Sequence, residues 1–264
     1  MTSTDKTYMI TQYVPEKLSA FIGSFTVFYF TDTTPVMMHP EGFFEMIFQI
    51  DCEIGQTSID ADDWQRRPLH FIGGLHNRSY LVKPARPGAQ LISVRFKPDC
   101  AKHFIHDRLN LFKNRVVDLS DVFSPPSLAS LEPVLQSGKI SQSIRLIETL
   151  LMQNFRESRQ SVISRTVEEI YRSHGFINVA DLAQKAFLSN PQFRKRFNEE
   201  VGMSPKEYSK IVRINHITGI LASVPEENLT QLTYRLGYFD QAHFIRDFSS
   251  VTGLSPKHFL NLDS

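Results

Sequence analysis

Cysteine is nearly missing from this chain of 264 residues, occurring only as Cys52 and Cys100. With neither a CxxC pair nor zinc-ligand spacing, the two exclude a disulfide-stapled scaffold and suit buried thiols in a reduced, cytoplasmic protein. Net charge is missing too: 29 Lys+Arg stand against 28 Asp+Glu, so bulk electrostatics points to no partner. Long apolar runs are absent. The most apolar stretch, Phe21 to Phe30, is too short and too rich in Gly, Ser and Thr to span a bilayer. Met1 to Leu18 is polar and lacks the core of a signal peptide, so no membrane association is expected. Catalytic signatures are lacking as well: there is no Gly-rich phosphate loop, nucleophile elbow or paired-carboxylate motif. No His-x-His pair occurs, and His39, His70 and His76 are scattered over strands and turns. His103 and His106 lie at i, i+3 and could share a helix face, but no third ligand accompanies them. Neither a metal, a cofactor nor an enzyme activity is expected.

What is present is a duplication. Phe193-x3-Phe197-x4-Gly202-x-Ser204-Pro205-Lys206-x-Tyr208 recurs, 51 residues on, as Phe244-x3-Phe248-x4-Gly253-x-Ser255-Pro256-Lys257-x-Phe259. Upstream, Leu182-Ala183 answers Leu232-Thr233 at a spacing of 50, so one residue is inserted between the first and second helix of the later copy. Two copies are too few for a solenoid and suit a device that grips something at two equivalent places.

Each copy has the same local grammar. Asn178 caps a short helix reaching about Phe187, and Ser189 caps a second helix with Pro191 in its first turn. Phe193 and Phe197, at i, i+4, form an apolar stripe that must face a core. Gly202 stops the helix in the left-handed region, and Ser204-Pro205-Lys206-Glu207 reads as a capping box opening a third. In the second copy the short helix runs from Leu229 to Leu236 and ends at Gly237. Asp240 caps the next helix, Phe244 and Phe248 give its stripe, Gly253 stops it, and Ser255-Pro256 opens the last. A short helix, a tight turn and a striped second helix are the helix-turn-helix pattern.

The face opposite each Phe pair remains for a partner. In copy one it carries Asn190, Gln192, Arg194 and Lys195, with Arg196 at its flank; in copy two it carries Gln241, Ala242, Ile245 and Arg246. Arg and Lys suit guanine edges or phosphates, and Asn and Gln suit adenine edges. On a lone helix such a face would be ordinary solvated surface; duplication favours recognition. From Lys185 to Arg213 there are seven cations against three acids, a local footprint that the whole-chain balance hides. Pro205 to about Leu221 reads as a joining helix of roughly 25 Å, long enough to hold two reading helices near one duplex repeat, ~34 Å, apart.

Residues 161–264 resemble the DNA-binding domain of AraC/XylS-type transcription regulators. The run from Leu232 through Gly237-Tyr238-Phe239-Asp240-Gln241-Ala242-His243-Phe244 to Phe248, Gly253, Ser255-Pro256 and Phe259 carries that resemblance. It implies double-stranded DNA as partner, with Pro191, Arg194 and Lys195 of unit one and Gln241, Ala242, Ile245 and Arg246 of unit two facing the bases. Two departures stand out. Pro191 cannot hydrogen-bond a base, and Thr233 replaces a small alanine, which should cost packing.

In the first 160 residues the period changes to two. Phe44, Met46, Phe48, Ile50, Cys52 and Ile54 alternate with Glu45, Gln49, Asp51 and Glu53, which predicts one half-buried strand. Ile92, Val94 and Phe96 alternate with Ser93, Arg95 and Lys97 in the same way. Val27–Phe30, Leu69–Ile72 and Ser79–Lys83 are further strand candidates, with turns at Gly73-Gly74 and Pro84 to Gly88. Many short strands predict an antiparallel barrel or jelly roll, and the segment resembles the cupin-like sensory domains attached to many AraC-type regulators. Its many Phe residues fit either a filled core or an apolar ligand chamber. Ala101, Phe104 and Ile105 predict a helical face, and Ser124-Pro125-Pro126-Ser127 a loop. The amphipathic helix Ile140–Phe155 either packs on the barrel or pairs two subunits, and Glu157 to Ser161 reads as a polar hinge.

The expectation is therefore an α+β chain. Residues 1–160 form a β-barrel or cupin-like sensory or dimerisation domain with linker helices, and residues 161–264 an all-α domain of two helix-turn-helix units. The stripe Ile163, Val167, Ile170 and Tyr171 can close the first unit's core, so residues 161–264 are expected to fold and bind DNA alone, but more weakly than the full chain. RNA polymerase, a small-molecule effector and a second copy of the chain are further partners left open, with activation the direction the resemblance suggests. The competing reading is a ligand-binding or enzymatic barrel whose helical tail mediates protein contacts.

Overall fold

A computed structural model describes residues 7–50, 53–59, 63–157, 161–223 and 229–262. Ten strands come first: β1 Tyr8–Tyr13, β2 Ile22–Phe30, β3 Val36–Met38, β4 Glu45–Ile50, β5 Ile54–Ser58, β6 Gln65–Arg66, β7 His70–Gly73, β8 Tyr80–Pro84, β9 Gln90–Phe96 and β10 Val116–Asp118. Ten α-helices follow among the described residues: α1 Pro125–Ala129, α2 Glu132–Gln136, α3 Ile140–Gln153, α4 Val162–Arg172, α5 Val179–Lys185, α6 Asn190–Val201, α7 Pro205–Ser223, α8 Leu229–Arg235, α9 Gln241–Thr252 and α10 Pro256–Leu262. Among the described residues no helix is long and apolar enough to cross a membrane.

The strands form two antiparallel sheets, one ordered β1-β2-β9-β4-β7-β10 and the other β3-β8-β5-β6. Antiparallel sheets commonly keep one wet face, but the larger sheet here is covered on both. One face, with Phe25, Met46, Phe48, Ile72, Ile92, Val94 and Phe96, meets the helices. The other, with Phe30, Ile47, Phe71 and Leu91, packs against Val36 and Ile54 of the smaller sheet.

That double burial corrects the reading of the alternating segments. The predicted strand from Phe44 to Ile54 is two strands, β4 and β5, in different sheets, and Asp51 and Cys52 lie outside the described residues. Ile47, Gln49 and Ser93 are buried rather than solvated. Gly73, expected in a turn, is the last residue of β7. The two prolines expected in a loop open α1 instead, where missing N–H groups cost nothing. Residues Ala101–His103 form a short 3₁₀ helix, and Ala101, Phe104 and Ile105 are buried as the pattern required.

The amphipathic helix α3 packs on the sheets within this chain. Ile144, Ile147, Leu150 and Leu151 are buried in the main core. Its buried Glu148 accepts hydrogen bonds from the backbone N–H groups of Lys17 and Leu18 at 2.7 and 3.0 Å. A stripe covered in this way is not available to pair two subunits.

The polar stretch at 157–161 does not separate two independent cores; residues 158–160 of it lie outside the described residues. Buried side chains from both halves join one apolar cluster, from Phe25 and Phe48 through Phe197 and Tyr208 to Phe248. Tyr208 donates its hydroxyl proton to Gly42 O, 3.1 Å away. Upstream residues thus help to close the first helical unit, contrary to the expectation that it needs none.

Candidate nucleic-acid interface

The helical half is built by local signals that behave as read. Asn178 Oδ1 accepts from Ala180 N at 2.8 Å to start α5, and Ser189 with Gln192 forms a full capping box on α6. Asp240 Oδ1 accepts from His243 N at 2.6 Å to start α9. Gly202 and Gly253 end α6 and α9 at φ 104° and 76°, in the left-handed region. Ser204 and Glu207 form the reciprocal box that opens the joining helix α7. The apolar stripes hold too, since Phe193, Phe197, Phe244 and Phe248 are fully buried.

With the stripes inward, the opposite faces turn out. Asn190, Pro191, Gln192, Arg194 and Lys195 on α6 are all exposed, as are Gln241, Ala242, Ile245 and Arg246 on α9. Their availability differs. The Gln192 side-chain oxygen is occupied by the Ser189 N–H and hydroxyl, which leaves its NH₂ for a partner. Arg246 Nε donates to Ala242 O of its own helix at 3.2 Å.

Ion pairs sort the cation patch. Lys185 pairs with Glu169, Arg196 with Glu200, and Lys210 and Arg213 with Asp247. Arg194, Lys195 and Lys206 are left without a partner among the described residues. The three free cations therefore sit on the predicted reading face and at the start of α7, while the others hold the scaffold.

Arg213 joins the two units and escaped the sequence reading. Its guanidinium donates to Gly175 O at 2.9 Å, lies over the rings of Phe176 and Tyr238, and faces Asp247 of α9 at 3.6 Å. Gly175, at φ 74°, makes this approach possible: a Cβ there would lie 2.2 Å from Ser209 O. A Gly at a helix end was a weak signal for it. Thr233, expected to cost packing, is buried with its hydroxyl donating to Leu229 O at 2.7 Å, so its polar group is satisfied.

Two exposed rings were also not anticipated. Phe187 and Phe239, 94% and 88% exposed, sit in the turns before α6 and α9. Phe187 has φ 55° at the place where the second unit has Gly237 with φ 74°. Elsewhere, His103 is stacked on Phe155 and its Nδ1 lies 3.2 Å from Arg156 O, so it serves packing. Burial pushes the Cys100 thiol up to about 11, which suits an inert residue.

The upstream half touches both units at matching places. At the end of α6, the Phe44 ring and Leu109 O stand 3.1 and 3.2 Å from where a Gly202 Cβ would lie. At the end of α9, Ser79 N and Oγ donate to Val251 O at 2.8 and 3.0 Å, and Ile59 abuts Gly253. Lys113 and Asn77 donate to Glu207 at the start of α7, at 2.6 and 3.3 Å. Burial by itself would raise the Glu207 carboxyl, but bonds from Lys113, Ser204 and Asn77 outweigh it and hold the group down at about 2.

Residues 182–261 match the helix-turn-helix domain family, and residues 12–118 match a domain family of unknown function, DUF6597. A probable transcriptional regulator, LumQ, of Photobacterium leiognathi is 24% identical over 128 residues, which is 47% of this chain and 51% of that protein. An uncharacterized HTH-type transcriptional regulator of Haemophilus influenzae is 27% identical over 82 residues, 31% of this chain and 27% of that protein. The matched region thus spans about half the length of the first relative and about a quarter of the second. Among solved structures, ToxT from Vibrio cholerae aligns over 97% of this chain and 99% of its own, at 12% identity and a TM-score of 0.46.

Proposed function

We propose, from the premise that residues 182–261 are an AraC-type helix-turn-helix domain, that this protein is a sequence-specific DNA-binding regulator of transcription. Residues 161–264 are its reading module and residues 1–160 its sensing module. The observation that carries the reading is the pairing of buried and open faces. Two copies of one unit bury their Phe pairs completely and turn out faces on which Arg194 and Lys195 have no intramolecular partner among the described residues. Unpaired cations on a rigid helix can form bidentate contacts with base edges without first breaking an internal ion pair.

Asn190, Pro191, Gln192, Arg194 and Lys195 face one major-groove segment, and Gln241, Ala242, Ile245 and Arg246 the next. Unit one carries more hydrogen-bonded readout; unit two, with Ala242 and Ile245, carries more thymine-methyl contact. The direction of regulation is activation, with RNA polymerase as a further partner, and the protein works in the cytoplasm without a catalytic step. The sensing module takes a small-molecule effector in the space between its two sheets.

Selection of genomic fragments with the purified chain tests this. Enrichment of one motif with two half-sites is the expected outcome, and recovery of fragments with no shared sequence would overturn the reading. Transcription from an enriched promoter, with and without the protein, reads the direction: a rise is expected, and repression would reverse that part.

A further inference from the structure

The inward face of the larger sheet is polar at one end, and strand register shows where. Side chains two apart share a face, so Glu45 and Ile47 of β4 stand beside Arg95 and Ser93 of β9, and Ser93 faces Thr26 of β2. Between the sheets lies a cavity of about 320 Å³, open toward the loop that joins β3 to β4, with a smaller apolar chamber behind it. The two share Phe28, Met38, Glu45, Gly73, His76 and Tyr80 as walls.

Three observations define what the space would accept. Ser93, only 2% exposed, lines the inner chamber with a hydroxyl that has no hydrogen-bond partner among the described residues. Such a group is costly unless something entering the cavity bonds to it. At the mouth, one guanidinium serves two carboxylates: Arg95 pairs with Glu41 at 2.5 Å and with Glu45 at 3.0 Å. Two carboxylates on one guanidinium leave the mouth formally short of one positive charge, and burial, only partly offset by Arg95 and reinforced by Glu45, raises the Glu41 carboxyl. In the inner chamber the imbalance is opposite. Arg67 lines the wall, its Nε donates to the neutral Gln56 Oε1 at 3.1 Å, and it meets no carboxylate among the described residues. His76 adds no charge near neutrality, because burial and the nearby Arg67 push it down to about 4.

We infer that the cavity takes a small zwitterion with an apolar body, of the amino-acid class, with its ammonium at the Glu41–Glu45 mouth and its carboxylate toward Arg67. Either half-molecule alone leaves one of the two imbalances in place. An ammonium at the mouth also finds aromatic walls in Tyr8 and Phe28, which favour cations. The mouth loop reaches the reading module, since Gly42 O accepts from Tyr208 and the Phe43 ring stacks on Tyr171 at 6.2 Å. The proposal rests on the effector reading above and is tested without DNA, so its failure is separable from failure of the DNA-binding reading.

The test is calorimetric titration of the full chain with L-phenylalanine, L-leucine and 6-aminohexanoate, beside phenethylamine and 3-phenylpropanoate as the two halves. At least one zwitterion should bind roughly tenfold or more tightly than either half. Arg67→Gln should abolish that advantage while leaving phenethylamine unaffected, and Glu45→Gln should leave 3-phenylpropanoate unaffected. Ser93→Ala should weaken the zwitterion without lowering the melting temperature of the unliganded chain, which separates recognition from folding. Binding of 3-phenylpropanoate or phenethylamine as tight as that of every zwitterion, or no binding by any zwitterion, would overturn the assignment.

Discussion

Phe187 shows how a single residue can oppose its own fold. It holds a left-handed backbone at φ 55° with its ring 94% exposed, in the position that the second unit fills with Gly237. The hydrogen bonds around the two turns are the same, with Phe187 N donating to Gln184 O and Gly237 N to Tyr234 O, each at 3.0 Å. A left-handed L-residue costs ~1–2 kcal/mol, and the extra freedom of glycine in the unfolded chain returns part of that. Phe187→Gly should therefore stabilise the protein by up to ~1 kcal/mol in urea denaturation; a loss of stability would show that the exposed ring has a packing role. Under the proposed function Arg194 reaches a base edge. Arg194→Ala should cost ~1–3 kcal/mol at the cognate site and relax preference at one base pair. Equal weakening on all sequences would place its guanidinium on phosphate instead.

Among elements, the helices were readable because their signals are local. Caps at Asn178, Ser189 and Asp240 and stops at Gly202 and Gly253 each act within one turn, so sequence alone locates them. The strands were harder to read. A period of two separates faces but cannot say that both are buried, and polar Gln49, Ser93 and Arg95 looked like solvent-facing residues. Their inward position is evident only once β4, β9 and the smaller sheet are in register. Short edge strands such as β3 and β10 have too few residues to show any period. The link at the start of α7 gives a pH test. The Glu207 carboxyl is held at about 2, below its ordinary value, so its contribution is complete above the unfolded-state value of ~4.3 and is lost as pH falls toward 2. Glu207→Gln should flatten the acid limb of stability in that window; an unchanged limb would mean that the bonds from Lys113 and Asn77 contribute nothing measurable.

For the whole molecule, the contacts that matter most were hidden from the sequence. Tyr208, Gly202 and Val251 read as internal parts of helical units, yet each meets the upstream half, at Gly42, at Phe44 with Leu109, and at Ser79. The upstream half grips both units beside the glycines that end α6 and α9, and so can fix the angle between these two helices. A fragment of residues 161–264 would leave Tyr208 and the end of α6 uncovered. It should melt at a lower temperature than the full chain, and equal melting would show that the shared core adds nothing to the helical half. The central claim, that the two open helix faces read DNA sequence, is tested most directly by titrating the full chain against its selected site and a scrambled duplex at ~50 and ~200 mM salt. Counterion release weakens both complexes as salt rises, but base readout should keep the selected site about 10³-fold or more tighter at both concentrations. Equal affinity for the two duplexes, falling together with salt, would contradict it.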